Sequence, residues 1–166
     1  SASLAQQTET QTVPYTGKPG YERTVTFNQF DPSLGHLTNV QIILNMNTTS
    51  GYLSVDNDGD ESAEVDVELG ADGRISSGDV RLTNTGLNPF DLGIRVTTGD
   101  SFTLAGDDGD GEGNVDDSPP DGATHNGGSF ANSANDNVSQ FVFSDYTGTS
   151  TYDIDVIASA VIDFGG

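Results

Sequence analysis

Apolar and polar residues alternate along most of this chain, and runs with the 3.6-residue period of an amphipathic helix are scarce. Because successive side chains of a β-strand point to opposite faces, this alternation predicts half-buried strands. Residues 63–69 show the pattern most clearly, with an acidic residue between each pair of apolar ones. The strands predicted in this way are 22–27, 37–46, 52–55, 63–69, 80–82, 92–96, 102–104, 138–143 and 152–164.

Short strands separated by turn residues are typical of all-β proteins. The chain is therefore predicted to fold as an antiparallel β-sandwich of the jelly-roll or Ig-like kind, with a closed β-barrel as the alternative. Its 166 residues suit one domain, predicted to comprise residues 21–166. Within that domain, residues 106–137 are predicted to form a long acidic loop, because they contain almost no apolar side chain.

The first 20 residues are predicted to form an N-terminal arm and hinge. Thr8, Thr10 and Thr12 alternate with Gln and Glu, a strand-like pattern that offers little apolar surface. Such an arm gains order by pairing with an exposed sheet edge. Pairing with its own domain would leave a monomer, whereas pairing with the next copy would propagate into a filament. The hinge is predicted from Pro14, Gly17, Pro19 and Gly20.

The charge balance is strongly acidic, with a formal net charge of -21 from 26 acidic residues and five cationic ones. This balance argues against unaided binding to nucleic acid or an anionic membrane, because both need a positive surface. The absence of cysteine excludes disulfides, thiolate zinc sites and a cysteine nucleophile. No apolar stretch is long enough to span a membrane. An acidic, salt-adapted surface would spread the acids evenly, whereas much of the Asp lies in two clusters.

The second cluster follows the register of a calcium loop. With Asp108 at position one, acids fall at three and five, Gly113 at six and Asp116 at nine. Position twelve is Pro119, so the closing carboxylate must come from Asp121 or from a neighbouring strand. A disordered acidic loop is the alternative. The candidate ligands in this cluster are Asp107, Asp108, Asp110, Glu112, Asn114, Asp116, Asp117 and Asp121.

The first cluster has the same one-three-five spacing at Asp56, Asp58 and Asp60. Short carboxylates on a tight turn can converge on one hard cation, and calcium is therefore the predicted cofactor here as well. Gly59 at the fourth place and Val67 at the twelfth distinguish the segment from an EF-hand. A solvated turn between two strands is the alternative.

Catalytic motifs are weak in this sequence, and the chain is predicted not to be an enzyme. Its two histidines are His36, in a turn, and His125, in the acidic segment. The tripeptide 99–101, Gly-Asp-Ser, is similar to the nucleophile block of a class of esterases. Those enzymes place it after the first strand of an α/β fold, and no α/β pattern is present.

Two segments resemble the choice-of-anchor family, type E. Residues 27–40 read Phe-Asn-Gln-Phe-Asp-Pro-Ser-Leu-Gly-His-Leu-Thr-Asn-Val, similar to that family's block before a long strand. Residues 146–152 read Tyr-Thr-Gly-Thr-Ser-Thr-Tyr, similar to its closing hairpin. The resemblance implies an exported bacterial surface domain without a known catalytic motif. The chain ends at Gly165 and Gly166 without the sorting segment of that family, and its two acidic clusters are additional.

These observations together predict an exported, calcium-stabilised structural protein of the cell surface. The expected assembly is an extracellular filament or biofilm matrix, a homopolymer formed by the arm acting as a donor strand. The start at Ser1 without Met and the Thr-, Asn-, Ser- and Gly-rich composition favour export. The alternative is a monomeric calcium-dependent adhesin or carbohydrate-binding module that recognises a cell-surface polysaccharide.

Overall fold

The computed structural model describes residues 6–49, 51–84, 89–109 and 114–166, and within them the chain is mostly β-strand, as predicted. The strands are β1 Tyr21–Asn28, β2 Gln41–Thr49, β3 Tyr52–Asp56, β4 Ala63–Ser76, β5 Asp91–Leu104, β6 Gly122–Asn126, β7 Ser129–Asn137 and β8 Thr151–Gly165. Two 3-10 helices accompany them, Pro32–Leu34 and Gln140–Tyr146.

Four of the strands form one layer, a sheet in the order β1-β8-β4-β5. Every neighbouring pair in it is antiparallel. β4 lies between β5 and β8, and all 14 of its residues pair with β5. Its odd-numbered residues face the interior, as the alternation in the sequence predicts, so that Val67, Ala71 and Ile75 are buried.

The other four strands form the second layer, a long two-stranded ribbon. β2 pairs with β7 and β3 pairs with β6, both antiparallel and in the same register, so the two ladders continue each other. Between them the Gly127 N–H donates to the Gly51 C=O at 2.9 Å. The ribbon crosses β4, because the Met46 sulfur lies 2.8 Å from the position that a Cβ would take on Gly73. The two layers confirm the predicted sandwich, and the described residues form no closed barrel.

The space between the layers holds two apolar clusters. The larger lies where β1 and β8 meet the ribbon and contains Val25, Ile75, Val80, Leu82, Val138, Tyr146 and Ile154. The smaller contains Val55, Val67 and Leu104, with Leu53, Val65, Phe102 and Ala123 packed against it. Leu82 is fully buried. The smaller cluster lies beneath the end of the sandwich that carries both acidic segments.

Tyr146 anchors the larger cluster. Its hydroxyl donates to the Arg81 C=O, and its ring meets the Tyr152 ring edge-on at a centroid distance of 5.2 Å. Burial raises the pKa of the Tyr146 hydroxyl well above its usual value, because the ionised form would lose its hydration. Burial also raises the pKa of Tyr152, to which the Glu9 carboxylate adds a smaller contribution.

The two segments that carry the family resemblance lie against each other. Phe30 forms a parallel bridge with Thr147. The Phe30 N–H donates to the Tyr146 C=O at 2.8 Å, and the Gly148 N–H donates to the Phe30 C=O at 2.9 Å. Asp31 begins the first 3-10 helix by accepting the Ser33 N–H at 2.8 Å, which lowers the pKa of the Asp31 carboxyl.

Three predictions of local structure are wrong. Residues 122–137, expected to be part of a loop, form β6 and β7; β7 is mostly polar, and its few apolar residues do not alternate with polar ones. Residues 138–143 were expected to form a strand, but Gln140–Tyr146 is a 3-10 helix begun by the Ser139 side chain, which accepts the Phe141 N–H. Val80 and Leu82 are buried, but residues 80–82 belong to no strand.

Residues 6–18 of the N-terminal arm are exposed and belong to no strand. The Gln11 side chain donates to the Asn28 C=O and accepts the Asn28 N–H, both at 2.9 Å. One side-chain amide thus makes the two hydrogen bonds that a residue of a neighbouring strand would make. The Tyr15 ring lies 4.4 Å from the Tyr21 ring, and the Arg23 guanidinium lies 4.7 Å from the Tyr15 centroid. The arm therefore lies along β1 through side-chain contacts.

Among the described residues, no helix has the length and apolar character needed to cross a membrane.

Candidate metal centre

The topology brings both acidic segments to one end of the sandwich. Ala63 at the start of β4 pairs with Leu104 at the end of β5. Asp56 at the end of β3 pairs with Gly122 at the start of β6. The connection between β3 and β4 therefore meets both ends of the connection between β5 and β6, above the smaller apolar cluster.

Main-chain hydrogen bonds join these two connections to each other and the two ends of the second one together. The Asp107 N–H donates to the Gly59 C=O at 2.8 Å, and the Ala105 N–H donates to the Pro120 C=O at 2.9 Å. Gly106 lies so close to the Asp60 carbonyl that a Cβ would overlap it. The close approach explains why glycine occupies position 106 and fixes the segment around residue 107 against the first acidic turn.

Three carboxylates converge at this junction, those of Asp107, Asp108 and Asp121. One oxygen from each lies within 4.8 Å of the others. Asp121 is only 2 % exposed, whereas Asp107 and Asp108 face solvent. Asp121 Oδ2 accepts the Asp108 N–H at 2.9 Å. Its Oδ1 is buried and has no hydrogen-bond partner among the described residues.

A buried carboxylate oxygen without a hydrogen-bond partner destabilises a folded protein. A buried carboxylate oxygen has lost its hydration, and buried polar atoms are nearly always hydrogen-bonded or bound to an ion. Two further carboxylates nearby raise the cost, because like charges repel more strongly where water is scarce. A cation between the three groups would satisfy Oδ1 and offset the repulsion.

The other predicted ligands of the second cluster have structural roles or lie apart. Asp116 Oδ1 accepts the Ser118 N–H at 2.9 Å, and Asp117 Oδ2 accepts the Thr124 hydroxyl at 3.1 Å. Asn114 is exposed. The remaining predicted ligands, Asp110 and Glu112, lie outside the described residues.

The first cluster supports the junction and does not form a second group of converging carboxylates among the described residues. Asp56 Oδ2 accepts the Asp116 N–H at 2.9 Å, which ties the end of β3 to the segment before β6. Asp58 and Asp60 are exposed on the turn. The prediction that these three residues share one ion therefore has no geometric counterpart in the described part of the chain.

Asn57 is the residue that the sequence analysis missed. Its Nδ2 donates to the Glu61 C=O at 2.9 Å and to the Ala105 C=O at 2.5 Å. Its N–H donates to the Asp121 C=O at 3.1 Å, so Asn57 joins its own connection to both ends of the β5–β6 connection. The available signal was an Asn at the start of an Asp- and Gly-rich turn, where an Asx-turn is common.

The weak catalytic motif does not assemble a serine–histidine pair. His125 is buried on β6, and its Nδ1 lies 3.8 Å from Asp100 Oδ2, beyond hydrogen-bonding distance. The Ser101 hydroxyl donates to Asp66 Oδ1 at 2.5 Å. Ser101 and Asp66 face outward, because they alternate with the interior residues of their strands, whereas His125 faces the interior.

Comparison with known proteins gives no relative. No protein-family model matches the chain, and neither a curated protein nor a solved structure matches it significantly.

Proposed function

We propose that this chain is an exported, calcium-stabilised structural protein, a subunit of an extracellular filament or surface matrix assembled by strand exchange. The observation that carries the calcium part is the buried Asp121 carboxylate, whose Oδ1 lacks a hydrogen-bond partner among the described residues and which lies beside two other carboxylates. Nothing else in the described chain combines burial, unpaired charge and converging ligands in this way.

The chemistry of the ligands favours calcium over a transition metal. All three are carboxylates, which suit hard cations, and the chain has no thiolate to offer. Calcium accepts six to eight oxygens at flexible angles, so water and main-chain carbonyls can complete its coordination around two exposed ligands. Magnesium requires a stricter octahedron and gives up its water reluctantly, and it is expected to bind less well.

The position of the centre suggests a structural role for the ion. It lies where the β3–β4 and β5–β6 connections meet, and Asp121 precedes β6 directly. An ion at this point ties the end of the four-stranded sheet to the end of the ribbon. Extracellular calcium modules typically bind with dissociation constants of about 0.1–1 mM, so a partly exposed site of this kind suits an exported protein.

The arm supports assembly through strand exchange. It alternates like a strand, yet no residue of 6–18 belongs to one. In a chain of net charge -21, residues 6–20 carry one acid, Glu9, and one cation, Lys18. Because the arm carries no net charge, it can approach another acidic copy with little repulsion of its own.

Calcium titration of thermal stability tests the calcium proposal. Calcium at a hundredfold excess over its dissociation constant is expected to stabilise the fold by about 2.7 kcal/mol, which corresponds to roughly 5–11 °C in Tm for a chain of this size. Equal Tm values in chelator and in millimolar calcium would refute the site. Molar sodium chloride in the presence of chelator is the control, because full recovery there would indicate salt adaptation instead.

Electron microscopy tests the structural role. Purified protein is expected to form fibres at high concentration, whereas a chain without residues 1–13 is expected to stay monomeric and to keep its calcium-dependent Tm shift. Fibres from the truncated chain would refute assembly through the arm. A soluble monomer that binds polysaccharide only with calcium would instead support the adhesin alternative.

A further inference from the structure

β8 extends beyond the strand that pairs with it on one side. β1 pairs with residues 151–158 of β8, whereas β4 pairs with residues 155–165. Within the described part of the chain, residues 159–165 therefore have a neighbouring strand only on the β4 side. The other side is an open edge in line with β1, and we call residues 159–165 the β8 slot.

The main chain of the slot is directed so that it can receive a strand. The Gln29 N–H donates to the Ser150 C=O at 2.9 Å, and the Gly20 N–H donates to the Ala158 C=O at 2.6 Å. Even-numbered residues here therefore direct their main-chain groups towards β1. By the alternation of an antiparallel ladder, Ala160, Ile162 and Phe164 direct theirs towards the open edge.

The same residues leave apolar surface uncovered. Phe164 pairs with Val67 and Ile162 pairs with Leu69, so both side chains lie on the interior face of the sheet. Val67 is 3 % exposed, but Ile162 is 55 % exposed and Phe164 is 56 % exposed. The ribbon covers β4 at this level and leaves β8 open. An uncovered apolar pair beside an open sheet edge is the arrangement that strand addition completes.

We propose that the β8 slot receives the N-terminal arm of a second copy as an antiparallel strand, an inference that rests on the assembly proposed above. Thr10 then lies opposite Phe164, and Thr12 lies opposite Ile162. Threonine is β-branched, and its methyl group packs against the exposed apolar side chains. The donor strand lies in line with β1 of the receiving copy and extends that side of the sheet.

Two features of the arm select this register. Gln11 lies opposite Asp163, where its amide can donate to the carboxylate, whereas a shift of the arm by two residues would bring Glu9 against Asp163. Pro14 falls just beyond the paired residues, and a strand can end there because proline has no N–H to donate. Residues 9–13 thus pair with residues 161–165.

The arm must leave its own β1 for this contact. In the isolated chain it is held by the Gln11 amide on Asn28 and by the Tyr15 ring against Tyr21. These are exposed side-chain contacts, whereas the slot offers a main-chain ladder together with apolar surface. Each copy gives one arm and receives another, so a head-to-tail contact of this kind can propagate from copy to copy.

Two matched substitutions test the slot in the full chain. Ile162→Glu places a charge in the slot, and Ile43→Glu adds the same charge to an isoleucine of similar exposure, 54 %, on β2. With calcium present, Ile162→Glu is expected to abolish fibres in electron microscopy and to sediment as a monomer. Ile43→Glu is expected to form fibres like the parent, and both variants are expected to keep the calcium-dependent Tm shift.

Disulfide trapping tests the register, since the chain has no cysteine of its own. A mixture of Thr12→Cys and Ile162→Cys proteins is expected to give a covalent dimer under mild oxidation, and a mixture of Thr12→Cys and Ile43→Cys is not. Fibres that survive Ile162→Glu, or equal trapping in both mixtures, would overturn the slot while leaving the polymer in place. A bond formed only within a doubly substituted chain would place the arm in its own slot and overturn the exchange. A parent protein that is monomeric at every concentration would overturn the polymer and the slot together.

Discussion

Asp121→Asn is expected to stabilise the calcium-free protein and to remove most of the stabilisation that calcium provides. Asp121 is 2 % exposed, and one of its oxygens has no partner among the described residues. Asparagine keeps an oxygen that can accept the Asp108 N–H, which Asp121 Oδ2 accepts at 2.9 Å. It removes the buried charge and turns an amide donor towards the neighbouring carboxylates.

The magnitude follows from the separation of the three carboxylates, which is at most 4.8 Å between their nearest ligand atoms. Two unit charges at that distance repel by about 1 kcal/mol in a water-like dielectric and by about 3.5 kcal/mol at an effective value near 20. The lower figure applies, because Asp107 and Asp108 are exposed. Removing the Asp121 charge relieves two such repulsions, so the calcium-free variant is expected to gain about 2 kcal/mol.

Calcium reduces the variant's advantage and reverses it only if the site is lost completely. A tenfold weaker dissociation constant reduces the calcium contribution at the same concentration from about 2.7 to about 1.4 kcal/mol, and complete loss of the site removes it. Differential scanning calorimetry in chelator and in millimolar calcium measures both effects. The variant is expected to melt roughly 4–8 °C higher than the parent in chelator and to show at most half of the parent's calcium shift.

Asp145→Asn is the matched control, because Asp145 is exposed beside the larger apolar cluster and undergoes the same change of charge. It is expected to leave the calcium shift unchanged. An Asp121→Asn protein with the full calcium shift would show that this carboxylate does not bind the ion. A variant that is less stable than the parent in chelator would show that the Asp121 charge is already balanced without calcium.

Five further outcomes follow from the fold. Leu82→Ala is expected to lower the free energy of unfolding by about 2–5 kcal/mol in urea denaturation, because Leu82 is fully buried; a loss below about 1 kcal/mol would contradict that packing. Tyr146→Phe leaves the Arg81 C=O without its donor and is expected to cost about 1–3 kcal/mol at pH 7. Because burial raises the pKa of Tyr146, its contribution to the stability of the parent is fully present below the ordinary tyrosine pKa of about 10. This contribution falls as the pH rises above about 10, since the unfolded chain ionises first. The stability of the phenylalanine variant is expected to fall less steeply over the same range. Gly122→Ala would force a Cβ onto the Asp116 carbonyl, so both Tm and calcium affinity in calorimetry are expected to drop. The calcium contribution to Tm is expected to fade as the pH falls towards about 4, since the ligands must be ionised, and an unchanged contribution there would argue against carboxylate ligands.

Sequence alone determined the strands whose two faces differ. β1, the first half of β4 and β8 alternate between apolar and polar residues, because one face of the sheet packs on the core and the other meets water. The pattern of apolar residues did not predict strands whose pairing depends on the main chain alone. β7 has no regular apolar alternation, and β5 continues through Gly99, where a Cβ would lie 2.7 Å from the Val67 carbonyl oxygen of β4.

The candidate metal centre likewise has one part that the sequence predicts and another that only the tertiary structure decides. The acidic runs and their calcium-like spacing are visible in the sequence, because short-range spacing governs which side chains one turn can bring together. Which acids actually converge is a tertiary property. Asp121 lies 13 positions from Asp108 along the chain, and it meets Asp107 and Asp108 because β3 pairs with β6 and β4 pairs with β5. Two further features also depend on how distant strands are paired, which local periodicity does not encode. One is the burial that leaves Asp121 Oδ1 without a partner among the described residues, and the other is the open edge of β8 beyond β1.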